Sequence, residues 1–145
     1  MNRLRIAAIA AALMAASAGH AEEAKHRIAI QVDQNDPAVM NLALNNAANV
    51  RKYYAAKGET VAIEIVAYGP GLAMFVADHS PVEDRISAMS LEYPEITFSA
   101  CGNTHAALNK KAGHEVPLLD EAKEVPSGVV RLMELQDEGY AYVKP

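Results

Sequence analysis

Two spacings of apolar residues succeed one another along this chain, and the switches between them mark its elements. Residues 27–33 (RIAIQVD) are rich in Ile and Val and stop where Gln34-Asn35-Asp36-Pro37 supplies turn chemistry, which predicts a first strand. Asp36 has the character of a helix N-cap, with Pro37 at the first helical position, where its missing N–H costs nothing. From there Val39, Met40, Ala43, Leu44, Ala47, Val50 and Tyr54 recur three and four residues apart, predicting a helix to about Lys57 with one buried face and a stop at Gly58. Residues 60–68 (TVAIEIVAY) are apolar almost throughout, as in a strand covered on both faces, and end in Gly69-Pro70-Gly71.

The second half repeats the alternation. Short helices are expected over Leu72–Ala77 and, opened by Ser80-Pro81, over Val82–Met89. Residues 96–100 (ITFSA) predict a third strand, Asn103–Ala112 a helix stopped by Gly113, and Val116–Leu119 a short fourth strand. Ser127 is placed to cap a last helix with Val129, Leu132, Met133 and Leu135 facing inward before Gly139, and Tyr140–Val143 closes as a strand. Strands alternating with helices at this spacing predict βαβ units and a parallel sheet carrying helices on both faces.

The N-terminus follows neither spacing. Arg3 and Arg5 precede an apolar run of small residues, Ile6–Ala18, and Ala18 and Ala21 each end a small-residue cleavage pattern, so residues 1–21 read as a signal peptide. The run is shorter than the roughly 18 to 20 residues of a spanning helix. Residues 22–145 would then form a single exported, periplasmic domain with no membrane contact after processing. Removal of Arg3 and Arg5 takes 13 basic side chains to 11 against 18 acidic ones, a net charge of −7. With no basic stripe to displace counterions from phosphate, a nucleic-acid partner is not expected. One cysteine excludes an internal disulfide even though an exported setting permits them.

That cysteine sits in "FSACGNTH", where the third strand gives way to a helix. In an open parallel sheet, ligands bind beyond the carboxyl ends of the strands, where the βα turns and helix N-termini gather. Three turns fall on that edge: Gln34-Asn35-Asp36, Gly69-Pro70-Gly71 and Cys101-Gly102-Asn103-Thr104. Cys101 would lie at the first turn of the following helix, where unpaired N–H groups and the dipole favour a thiolate. Gly102 would admit a bound group, Asn103 or Thr104 would cap the helix, and His105, four residues on, could share the face of Cys101 and lower its pKa if protonated. Residue types alone leave a second reading open, since free Cys is often an inert small hydrophobe.

Other side chains have structural and functional readings side by side. Asn45, Asn46 and Asn49 are either solvated or engaged at a subunit contact, and Asn35 is either a turn residue or a lining group. Cys101-x3-His105 has helical ligand spacing, but two ligands are too few for a metal centre, and no cofactor is expected. Nucleotide-binding glycine motifs and a hydrolase nucleophile elbow are missing.

Four segments carry a resemblance: "NLALNNAANV", "YGPG", "FSACGNTH" and "VPSGVVRLMELQDEGYAYVKP". In that order and spacing, over about residues 27–145, the chain resembles the DsrE/DsrF-like proteins of sulfur metabolism. The resemblance implies a three-layer α/β/α domain with a five-stranded, mainly parallel sheet, and a homotrimer or homohexamer. It also implies a persulfide-carrying cysteine after the third strand, a position that Cys101 matches. The expected partners are then a small sulfur donor or acceptor or a thiol protein, with Gly69, Pro70, Gly71, Asn35, Gly102, Asn103, Thr104 and His105 around the thiol. The contrasting expectation is a non-catalytic assembly module with a structural cysteine.

Overall fold

A computed structural model describes residues 23–145; the leader expected over residues 1–21 lies outside them. Five strands form one sheet: β1 (His26–Val32), β2 (Val61–Ala67), β3 (Ile96–Cys101), β4 (Ala122–Val125) and β5 (Ala141–Val143). Their spatial order is β4-β3-β2-β1-β5, and every pairing is parallel. Four α-helices, α1 (Pro37–Ala55), α2 (Glu83–Glu92), α3 (Gly102–Ala112) and α4 (Gly128–Asp137), and a 3-10 helix over Gly69–Phe75 connect them. The expected α/β fold with a parallel sheet is present.

Alternation along the strands assigns the two faces. Ile28, Ile30 and Val32, Ile63, Ile65 and Ala67, and Ile96, Phe98 and Ala100 join Met40, Ala43, Leu44, Leu72, Phe75 and Ile86 in the larger core. That face is covered by α1, α2, the 3-10 helix and part of α3. The opposite face carries Ala29, Val66, Leu132 and Leu135 with Tyr68 and Tyr140 at their margin. Among the described residues α4 is the helix packed there, so the sheet is covered unequally.

Local chemistry explains most boundaries. Asp36 caps α1 by accepting from the Ala38 N–H at 2.8 Å, with Pro37 at the start. Ser127 caps α4 by accepting from the Val130 N–H at 3.4 Å. Three expectations fail: α3 begins at Gly102 with Cys101 at its N-cap, so neither Asn103 nor Thr104 caps it. The fourth strand is not Val116–Leu119 but Ala122–Val125; Leu118 makes only an isolated antiparallel bridge to Val76, and Leu119 is buried as a bracket in the connecting loop. In α4, Leu132 and Leu135 face inward as expected, whereas Val129 and Met133 are 50% and 59% exposed. No helix of the described residues is long and apolar enough to cross a membrane.

Candidate functional site

Cys101 ends β3 and stands at the N-cap of α3. The register brings its neighbours alongside: Ala100 pairs with Ala67 and Ala67 with Val32, so the next residues, Cys101, Tyr68 and Asp33, form a row across the carboxyl edge. Strand alternation directs that row to the face that α4 covers. Gly128, the first residue of α4, closes over it. A Cβ on Gly128 would lie 2.9 Å from the Tyr68 Cβ and 3.2 Å from the Cys101 Cβ, so only glycine lets the start of α4 come this near.

The sulfur is thereby placed between the N-termini of two helices. Burial pushes the Cys101 thiol up, but the Thr104 hydroxyl and the backbone N–H groups of Gly128, Thr104 and Asn103 outweigh it, and its pKa lies below the ordinary thiol value. The Thr104 hydroxyl accepts from the Gly69 N–H at 2.9 Å, which leaves its own proton for the sulfur. Cys101 closes no cap hydrogen bond of ordinary geometry, so these donors act on the thiol as neighbouring dipoles able to close on a thiolate. The residue is 5% exposed and is not among the residues lining the clefts beside it.

The expected site residues separate into three groups. Cys101, Asn103 and Thr104 come together, and the Asn103 N–H also donates to the Pro126 carbonyl at 3.2 Å, tying α3 to the turn before α4. Gly69, Pro70, Asn35 and Thr104 line a cleft of about 720 Å³ between the 3-10 helix and α3, floored by Leu72 and Leu108. Gly71 does not line it; it is buried where a Cβ would sit 2.2 Å from the Val32 carbonyl oxygen. Gly102 packs against β4, 2.9 Å from the Val125 carbonyl by the same measure.

His105 departs from expectation in its partners. Its Nδ1 is 2.6 Å from Glu124 Oε2 and its Nε2 is 2.8 Å from the Val116 carbonyl oxygen. Both ring nitrogens are therefore occupied away from the sulfur, and neither is left to join Cys101 as a metal ligand. Burial lowers the His105 pKa, but the Val116 carbonyl and the Glu124 carboxylate raise it by more.

Sequence reasoning missed Gly128, Glu124 and a buried ion pair on the α4 face. Glu64, with its side chain 9% exposed, accepts from Ser99 Oγ at 2.6 Å and from Arg131 through Nε at 2.8 Å and Nη2 at 2.7 Å. Burial works to raise this carboxyl, but the Arg131 and Ser99 hydrogen bonds hold it below its usual value. With Thr97, Lys123 and Val125 the network lines a cleft of about 650 Å³ over β3 and β4. A third group lies at the far end of the same edge: Lys144 Nζ donates to Asp33 Oδ2 at 2.7 Å, Gln31 Nε2 to the same oxygen at 3.0 Å, and Tyr142 to Gln31 Oε1 at 2.5 Å. The sole signal for Gly128 was its place beside the Ser127 cap; nothing local foretold Glu64 and Arg131, which lie 67 positions apart.

No family model matches the chain, and no curated protein does. Among solved structures it is similar to a protein of unknown function, MTH1491 from Methanobacterium thermoautotrophicum, at 30% identity with a TM-score of 0.68. The match covers 83% of this chain and 99% of that one. The chain belongs to the same family as that protein and shares its fold.

Proposed function

We propose that this is an exported DsrE-like sulfur carrier, in which Cys101 holds sulfane sulfur as a persulfide and passes it to an acceptor thiol. The observation that carries the reading is the placement of a buried sulfur at the N-cap of α3 with Gly128, the first residue of α4, closed over it. A thiol kept only for packing is pushed toward its neutral form by burial; here the Thr104 hydroxyl and the N–H groups of Gly128, Thr104 and Asn103 favour the anion instead.

The chemistry balances without a cofactor. The Cys101 thiolate attacks the outer sulfur of a persulfide or polysulfide donor, a bond forms between Cys101 Sγ and that sulfur, and the donor's S–S bond breaks with its electron pair leaving on the donor thiolate. An acceptor thiolate then attacks the outer sulfur, and Cys101 leaves as a thiolate. The same donors serve both halves, because a low-pKa sulfur is also the better leaving group. Thr104 lines the 720 Å³ cleft and is next to Cys101 in the turn, and on this reading donor and acceptor reach the sulfur when the turn between β3 and α3 opens.

Assembly into a homotrimer or homohexamer is part of the same reading. It is supported by the face that α4 leaves open over β3 and β4, beside the exposed Val129, Val130 and Met133. Native mass measurement of the processed protein checks it, and a monomer at all concentrations would oppose it.

The contrasting reading, an assembly module with a structural cysteine, is favoured by the 5% exposure of Cys101. Incubating the native protein with polysulfide separates the two. A carrier gains the mass of one sulfur atom, reversibly with a thiol, and Cys101→Ser abolishes the gain. A native protein that gains nothing while its unfolded form does leaves the assembly reading standing.

A further inference from the structure

We infer that the 650 Å³ cleft over β3 and β4 binds the sulfur donor, and that this donor is the persulfide of an amino-acid thiol, with its carboxylate on Lys123 and its ammonium on Glu134. The inference rests on the sulfur-carrier reading and names the substrate class of that site.

The face of the sheet comes first. Strand alternation directs Thr97, Ser99 and Cys101 of β3 to the side that α4 partly covers, and the register sets Lys123 beside Ser99 and Val125 beside Cys101. Thr97, Ser99, Lys123 and Val125 are the floor of the cleft, and Ser127 and Glu134 stand on its α4 wall. This cleft therefore shares the face of the sulfur, whereas the 720 Å³ cleft lies across the sheet between the 3-10 helix and α3. Its near end adjoins Cys101 on two sides. Val125 is the register partner of Cys101, and Ser127 precedes Gly128, whose Cβ position is 3.2 Å from the Cys101 Cβ.

Charge then selects the ligand. Five charged side chains line the cleft. Glu64 and Arg131 cancel one another through two hydrogen bonds, and Glu121 lies at the far end, before β4 begins. Lys123 and Glu134 remain. Among the described residues the exposed Lys123 ammonium has no hydrogen-bond or ion-pair partner, and its charge helps to hold Glu64 ionised over the same floor. The half-exposed Glu134 has a single long contact, 3.6 Å from Arg131 Nη1. At about 3.3 Å per strand residue, the backbone of Lys123 is about 7 Å along β4 from the Cys101 end of the floor. At about 1.5 Å per helical residue, that of Glu134 is about 9 Å along α4 from Gly128. Opposite charges at like depth, one on the floor and one on the wall, complement a zwitterion on a short carbon skeleton whose sulfur end points toward Cys101. In the transfer, the Cys101 thiolate attacks the outer sulfur of this persulfide and forms the new Sγ–S bond. The donor's own S–S bond breaks, and its electron pair leaves on the amino-acid thiolate.

The test is an amide NMR titration of the native chain with S-methylcysteine, a thioether that carries both charges and passes no sulfur. Saturable shifts are expected at Thr97, Ser99 and Lys123. Lys123→Ala should weaken binding about two- to fivefold, as for an exposed ion pair, and Lys123→Glu by more. The analogues 3-(methylthio)propionate and 2-(methylthio)ethylamine, each with one charge, should bind less tightly than S-methylcysteine. No saturable shift, shifts at Leu72 and Leu108 in the other cleft, or equal binding of the one-charge analogues overturns the inference. Unchanged binding in Lys123→Glu, with an altered native mass, assigns the charge to a contact between copies and also overturns it. Loading separates this failure from that of the carrier reading. A protein that gains sulfur on Cys101 from inorganic polysulfide but fails the titration keeps the carrier reading and loses this inference, and one that gains sulfur from neither polysulfide nor cysteine persulfide loses both.

Discussion

The α4 face holds two buried groups with opposite arrangements of charge, Glu64 and Cys101. Glu64 is met by a full countercharge, the Arg131 guanidinium, on both of its oxygens. Cys101 is met by neutral dipoles from Thr104, Gly128 and Asn103. A carboxylate bound by an arginine fork has its charge cancelled in place and becomes a strut between β2 and α4. A sulfur surrounded by dipoles is stabilised as an anion without a cation to close over it, so its electron pair stays available. On the proposed reading, the kind of compensation, more than the depth of burial, separates the structural Glu64 carboxylate from the Cys101 thiolate.

The sharpest way to break the comparison is to take away the countercharge. Arg131→Met leaves Glu64 buried and unpaired and is expected to cost about 3 kcal/mol in denaturant unfolding, whereas Cys101→Ser should cost well under that. Near-equal losses would erase the distinction.

Gly128→Ala comes next. The added methyl meets the Cβ atoms of Tyr68 at 2.9 Å and Cys101 at 3.2 Å, so the start of α4 must move. Overpacking of this kind costs about 1–3 kcal/mol, and the thiol pKa should rise as the Gly128 N–H withdraws. A variant with wild-type stability and thiol pKa would show that the close approach is unimportant.

Thr104→Val acts on the turn around the sulfur and on one backbone donor. It removes a hydroxyl from the turn beside Cys101 and leaves the Gly69 N–H without its acceptor, and thiol labelling at neutral pH should slow by roughly tenfold, the size expected for a lost hydrogen bond to a charged group. An unchanged labelling profile would mean that the hydroxyl does not face the sulfur in solution.

Smallest, and opposite in sign, are the pH effects on stability. Glu64 has its folded pKa depressed, so its contribution is present above the unfolded carboxyl value of about 4.3 and is lost as pH falls through the folded pKa. His105 has its folded pKa raised, so its contribution is present below the unfolded value of about 6.5 and is lost as pH rises through the folded pKa. Denaturant midpoints across pH should therefore fall in acid for the wild type and less steeply for Glu64→Gln, and should soften toward alkaline pH less in His105→Gln than in the wild type.

Much of the frame was legible from residue spacing. β1, β2 and β3 are Ile- and Val-rich runs ended by turn residues, and α1 declares itself through Asp36, Pro37 and an apolar stripe. β4 was not legible, because Ala122–Val125 is a short edge strand with two charged residues, while the apolar Val116–Leu119 looked like a better strand and is a bracket. The inner face of α4 was half legible: apolar residues surround its first two turns, so spacing alone could not choose Leu132 and Leu135 over Val129 and Met133. At the site, the edge and its cysteine followed from topology. Gly128, the Glu124 partner of His105 and the Glu64–Arg131 pair did not, since each depends on segments brought together only by the sheet order β4-β3-β2 and the return of α4 across it.

The most direct test of the central claim is the pH profile of alkylation of Cys101 in the native protein. The sulfur-carrier reading expects labelling without unfolding, with an apparent pKa below the free thiol value of about 8.5. Labelling only in denaturant, or a native midpoint above that value, would show that burial outweighs the donors around the sulfur and would contradict the account.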